Sequence, residues 1–185
     1  VPIISGLSPD NHPVQIISDI FTIEEIKKKK ISELLLCWIG DSNNVLNSLV
    51  EASVKLGFKL NISFPKSFGP SKKTLALIKK KSSKIKLFSK PKDAITNVDV
   101  VFADKFISLN DKVNKSKKIK LFKKYQINKK LTNFAKKDHI FLHCLPAKRG
   151  QEVTSEVIDG KKSVVWQQAN NRVHAQKSII NWCLN

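Results

Sequence analysis

Residues 34–57 read LLLCWIGDSNNVLNSLVEASVKLG, and the order of residue types in them decides the fold. The six apolar residues 34–39 form a short run of the kind that fills a central strand buried on both faces. Gly40, Asp41, Ser42, Asn43 and Asn44 interrupt it with small and polar side chains. Residues 45–56 then carry apolar side chains at helical spacing and stop at Gly57, a residue suited to a helix end. Strand, polar turn and helix make the opening half of a βαβ unit.

The alternation continues on both sides. Upstream, residues 12–27 predict a helix. Pro13 suits its first position, Ile16, Ile17, Ile20, Phe21 and Ile23 give it an apolar face, and the lysines from Lys27 to Lys30 favour its C-terminal end. Downstream, residues 58–64 alternate and predict a strand exposed on one face. Residues 74–80 predict a helix, 85–88 a short strand, 91–96 a short helix and 98–103 a buried strand. A lysine-rich stretch leads to a helix over 129–135 and a buried strand over 140–144. Residues 163–166 are a candidate last strand, and 169–184 a final helix. The expected class is α/β: a single Rossmann-like domain with an open parallel sheet, helices on both faces and flanking terminal helices. Its expected parts are a helical segment over 1–30, the α/β body over 31–168 and a C-terminal helix over 169–185.

Composition narrows the function. The chain has 185 residues, 41% of them hydrophobic, which suffices for one packed core. No apolar run approaches the roughly 20 residues that span a bilayer, and the start does not read as a signal peptide. Cys37, Cys144 and Cys183 lack metal-ligand spacing, so neither a metal nor a cofactor is expected, and a reducing, cytoplasmic setting fits best. The formal charge of +19 suggests nucleic acid, but Arg149 and Arg172 are the only arginines. Bidentate and stacked nucleic-acid contacts favour arginine. Lysine excess beside abundant Ile and Asn is explained more simply by an AT-rich genome, so neither a nucleic-acid nor a membrane partner is expected. The chain contains no Met and opens with Val1, from which we expect a piece of a longer product.

In open parallel sheets, ligands bind beyond the carboxyl ends of the strands. Three polar clusters fall there: Gly40 to Asn44, Asp104 to Asn110, and His143-Cys144-Leu145-Pro146. Singly, each has a plain structural reading as a turn, a helix cap or a packed strand end; together they outline one edge of one sheet. His12 and Gln15 sit on the first turn of a helix, where free N–H groups attract anions. Arg172 lies near the start of the last helix, where its charge opposes the helix dipole, which favours a ligand or partner contact over a bare surface role.

With these residues in view, the strings GLSPDNHPVQ, WIGDSNNVLNSL, FLHCLPAKRGQEVTSEVIDG and SVVWQQANNRVHAQK closely resemble the ornithine carbamoyltransferase family, in its order and spacing, from about Val1 to Gln176. The resemblance implies transfer of a carbamoyl group from carbamoyl phosphate to L-ornithine, giving L-citrulline and phosphate. It implies that His12, Gln15 and Arg172 meet carbamoyl phosphate, and that Asn44, Asp104, Ser108 and Leu109 hold ornithine's amino-acid end. Cys144 and Leu145 would lie beside the reacting δ-amine, with Cys144, His12 and Arg172 as the catalytic set. A Cys144 leaning towards thiolate among cations would orient that amine or accept its proton. The family's S-M-G reads Ser108-Leu109-Asn110 here, and the following residues, acidic in many relatives, include Lys112 and Lys115. The family's phosphate-gripping S-x-R-T-R motif occurs nowhere in the chain. The implied partners are therefore an N-terminal carbamoyl-phosphate-binding domain and, when complete, further copies in a homo-oligomer (trimer). Alternatives are a non-catalytic remnant or interaction subunit of a decayed carbamoyltransferase, or an enzyme for another amine acceptor.

Overall fold

The computed structural model describes residues 2–81, 84–107 and 114–185. Its centre is a sheet of five parallel strands, β1 (Leu35–Ile39), β2 (Lys59–Ser63), β3 (Ile85–Phe88), β4 (Val100–Ala103) and β5 (Ile140–His143), in the order β3-β2-β1-β4-β5. The longer helices are α1 (Pro13–Lys27), α2 (Asn44–Leu56), α3 (Lys72–Lys81), α5 (Lys115–Phe122) and α8 (Val165–Leu184). The shorter ones are α4 (Pro91–Ile95), α6 (Lys129–Thr132) and α7 (Ser155–Ile158). Among the described residues no helix is long and apolar enough to cross a membrane.

Side chains alternate along each strand and so feed two cores. Leu36, Trp38, Val100, Phe102 and Leu142 pack with Ile16 and Ile23 of α1 and with Leu46 and Leu49 of α2. Cys37, Ile39, Val101, Ala103 and Phe141 pack with Ala94 and Ile95 of α4 and with Phe122 of α5. The α/β class, the parallel sheet and the helices on both faces are as the sequence predicts.

Three expectations are corrected. The strand over 58–64 has no exposed face: Leu60, Asn61, Ile62 and Ser63 are all buried, because β2 lies between β1 and β3 and is covered on both sides. Its polar Asn61 is tolerated there through a 2.8 Å hydrogen bond to the Ala94 carbonyl of α4. The half-exposed strand is the sheet edge, β3. Residues 163–166 do not form a strand: Ser163 makes one isolated bridge to Phe141, and α8 has begun by Val165. Arg172 consequently stands two turns inside α8, so the dipole at the helix start does not bear on it. Helix α5, within the lysine-rich stretch, has no counterpart among the predicted elements; its apolar residues Ile119, Leu121 and Phe122 are too few, and too close together, to give a clear period.

Candidate active site

The strand order reverses between β1 and β4, and there the crevice beyond the carboxyl ends opens. β1 is followed by Gly40, whose φ of +146° favours glycine. Asn43 then caps α2, its side-chain oxygen accepting from the Val45 and Leu46 amides at 3.1 Å each. Its amide nitrogen reaches across the crevice and donates to Asp104 Oδ2 at 2.5 Å. Asp41 forms a 2.5 Å ion pair with Lys118 of α5, whose ammonium lies near the rings of Phe68 and Phe122. The β1–α2 turn thus holds both Asp104 and the helix that follows the 108–113 segment.

Asp104 Oδ1 accepts from the Cys144 thiol at 3.1 Å. Beyond β5 the chain turns sharply: Leu145 has a φ of +54°, its bond to Pro146 is cis, and its N–H donates to His143 Nδ1 at 2.9 Å. Asp104, His143 and Cys144 each bring a ligand-type atom within 4.8 Å of one another. Such a set suits a metal, although the thiol is already engaged with Asp104 and His143 Nδ1 with the backbone.

The second half of the site comes from the helix pair α1 and α8. Gln15, His143, Cys144, Gln168, Ala169, Arg172 and Gln176 line one cavity of about 300 Å³. Arg172 Nη1 donates to Gln15 Oε1, while Arg172 Nε and His12 Nδ1 are buried without a protein partner among the described residues. Groups left in that state are costly unless a ligand meets them.

Electrostatics separates the roles. Burial lowers the His12 imidazole below its usual value, opposed by a hydrogen bond to the Gly6 backbone and assisted by Arg172, so the ring is neutral at neutral pH. Burial, then the negative charge of Asp104, pushes the Cys144 thiol well up. This corrects the expectation of a thiolate: burial, and then a carboxylate that accepts a hydrogen bond from the thiol, keep the proton on sulfur.

Residues 32–183 match the protein family described as aspartate/ornithine carbamoyltransferase, Asp/Orn binding domain. The chain belongs to that family. Relatives named ornithine carbamoyltransferase from Rhodopseudomonas palustris and Carboxydothermus hydrogenoformans are 45% and 42% identical over all of this chain, which spans 59% and 60% of their lengths. Among solved structures, the anabolic ornithine carbamoyltransferase of Campylobacter jejuni superposes with a TM-score of 0.90 at 35% identity, covering 98% of this chain and 61% of that one. The enzyme from Pyrococcus furiosus gives 0.87 at 38% identity, covering 95% and 57%. The chain is thus the amino-acid-binding half of a carbamoyltransferase fold.

Within this family frame, the fold brings Asp104 into contact with Cys144, and Gln15, Cys144 and Arg172 into one cavity. Leu145 stands next to Cys144 in the turn. The Asn44 amide donates to the Ser8 carbonyl at 2.8 Å, and the neighbouring Asn43 meets Asp104. Ser108 and Leu109 lie outside the described residues. Sequence reasoning placed Asn43 in the strand-end cluster without a partner, and missed Asp19, Gln168 and the Asp41–Lys118 pair. Asp19 had a readable cue, since Gln15, Asp19 and Thr22 form a polar line at i, i+4 and i+7 beside the apolar face of α1.

Proposed function

We propose that the chain is the ornithine-binding half of an ornithine carbamoyltransferase, which converts carbamoyl phosphate and L-ornithine into L-citrulline and phosphate. The observation that carries this reading is the 3.1 Å contact between Asp104 and Cys144, beside the cavity lined by Gln15 and Arg172. An amino acid at the Asp104 carboxylate and a carbamoyl group at Gln15 and Arg172 would meet over Cys144. Asp104 binds the α-ammonium, with Asn44, Ser108 and Leu109 completing the amino-acid grip. The δ-ammonium gives one proton to solvent, and the free amine attacks the carbamoyl carbon; a tetrahedral intermediate forms and collapses as phosphate leaves, taking the second amine proton. Arg172 donates to the carbamoyl oxygen as negative charge builds on it, joined by neutral His12 when its single N–H turns from the Gly6 backbone to the substrate. Cys144, held as a thiol, and Leu145 orient the amine rather than remove its proton. Holding both reactants in line is the main contribution such a site makes to a two-substrate transfer.

The phosphate clamp is assigned to a further domain, because no S-x-R-T-R motif is present and the relatives are longer than this chain. An apolar groove of about 300 Å³ between α1 and α8, with Ile17, Phe21 and Trp182 exposed along it, supports more chain covering this side. The 185-residue chain alone is expected to give no citrulline. Joined to a carbamoyl-phosphate-binding domain, it should turn over at an ordinary enzyme rate of about 10 per second. In that assembly Asp104→Asn should raise the KM for ornithine and leave that for carbamoyl phosphate nearly unchanged. Equal loss for both substrates would mean that Asp104 holds the fold rather than the amino acid, and full activity of the chain alone would overturn the need for a second domain.

A further inference from the structure

Asp19 is a buried, hydrogen-bonded group to which the reaction above gives no part. It lies one turn beyond Gln15 on the inner face of α1 and is 1% exposed. Its Oδ1 accepts from Gln15 Nε2 at 2.8 Å and from Gln168 Nε2 at 2.7 Å. Its Oδ2 is buried with no hydrogen-bond partner among the described residues. Both glutamines are themselves buried.

A primary amide has two nearly equivalent orientations, related by exchange of nitrogen and oxygen, and its neighbours decide between them. Here the neighbours have fixed character at both ends of each amide. Gln168 meets the Asp19 carboxyl with its nitrogen and receives the His143 backbone N–H on its oxygen at 2.9 Å. Gln15 meets the same carboxyl with its nitrogen and receives the Arg172 guanidinium, which can only donate, on its oxygen. Turning the Gln15 amide over would set oxygen against carboxylate oxygen and N–H against N–H. We propose that Asp19 is a positioning residue that fixes the Gln15 amide with its oxygen towards the cavity, so that the site selects a ligand presenting an N–H there.

Resting on the function proposed above, that N–H belongs to the carbamoyl amino group, which takes the second lone pair of Gln15 Oε1. A group of similar shape with no N–H, such as an acetyl, would leave that lone pair unmatched. What the device requires is an acceptor at Oδ1 rather than a charge. Burial, opposed by the bonds from Gln168 and Gln15, raises the Asp19 carboxyl to about 7. A proton taken up there goes to Oδ2, since Oδ1 already faces two N–H groups, and the Gln15 amide keeps its orientation.

The test compares wild type, Asp19→Asn, which keeps an acceptor at Oδ1, and Asp19→Leu, which removes it. In the 185-residue chain, the side-chain amide protons of Gln15 and Gln168 are followed by NMR. Wild type and Asp19→Asn should each show hydrogen-bonded, exchange-protected signals for both glutamines, and Asp19→Leu should lose the protection at Gln15. Solvent-like Gln15 signals in wild type overturn the proposal whether or not Asp19→Leu folds, as do Gln15 signals that Asp19→Leu leaves unchanged. In the assembly with the carbamoyl-phosphate-binding domain, Asp19→Leu should raise the KM for carbamoyl phosphate about tenfold, the scale of one ordinary hydrogen bond. The KM for ornithine should stay within about twofold, and Asp19→Asn should recover most of the loss. An Asn variant as impaired as the Leu variant would mean that charge, not amide orientation, is what matters. An inactive wild-type assembly would instead count against the proposed reaction and leave the amide signals to decide this proposal.

Discussion

The sheet core and the seam between α1 and α8 are both buried, yet they are built from opposite materials. Around the sheet, Leu36, Trp38, Phe102 and Leu142 meet other apolar side chains, and shape with apolar area is enough to hold them. Along the seam, Gln15, Ser18, Asp19 and Thr22 of α1 face Gln168, Asn171 and Arg172 of α8, joined by directed hydrogen bonds. An apolar core leaves many geometries nearly equal in energy, whereas a buried polar ladder leaves few, because each mismatch strands a donor or acceptor. The ladder is also the part that runs into the cavity. Stability and aim are thus supplied by different regions of this molecule.

The largest expected effect breaks the core alone. Leu36→Ala should cost about 2–5 kcal/mol in urea unfolding, while the Gln15 and Gln168 amide signals stay where they are. If those signals move as much as the stability does, the two regions are not separable.

Next comes pH, through the seam. The Asp19 carboxyl, raised from an ordinary 3.8 to about 7, keeps its proton in the folded chain when the unfolded chain has released it. Stability contributed by this group is therefore full below about pH 4 and falls as pH rises towards 7, by at most about 4 kcal/mol. Asp19→Asn should lack that slope while sharing the rest of the wild-type profile. Parallel curves for the two proteins would show that the carboxyl is not held in its raised state.

The smallest effect tests what the ladder is for. Asn171 donates to Thr22 at 3.0 Å and to Glu25 at 2.9 Å. Asn171→Leu should cost about 1–3 kcal/mol by leaving the Thr22 hydroxyl without that partner, and adding Thr22→Val should recover much of it. This pair lies away from the cavity, so stability and the Gln15 amide should respond independently. A double variant that regains stability yet loses Gln15 protection would show that the whole seam, and not Asp19 alone, sets the site.

Much of this was legible in the residues themselves. The mostly apolar runs at 34–39, 98–103 and 140–144 read as parallel strands covered on both faces, the setting that such runs favour. The polar clusters after them had to fall at one edge, because parallel strands end on the same side. Hence Asp104 and Cys144, 40 residues apart in sequence, were expected on one crevice and lie in contact across it. What sequence could not decide was direction and partnership. Asn43 and Asn44 are chemically identical neighbours, and only the capping geometry of α2 turns one towards Asp104 and the other towards Ser8. Cys144 sits among cations in sequence, but its state is set by burial and by carboxylates, Asp104 foremost, that only the fold brings near it. The part of Asp19 depends on two glutamines, one of them 149 residues away, that are brought together only when α8 lies down beside α1. Periodicity fixes which face of an element is buried; what a buried polar group meets there is a property of the packed structure alone.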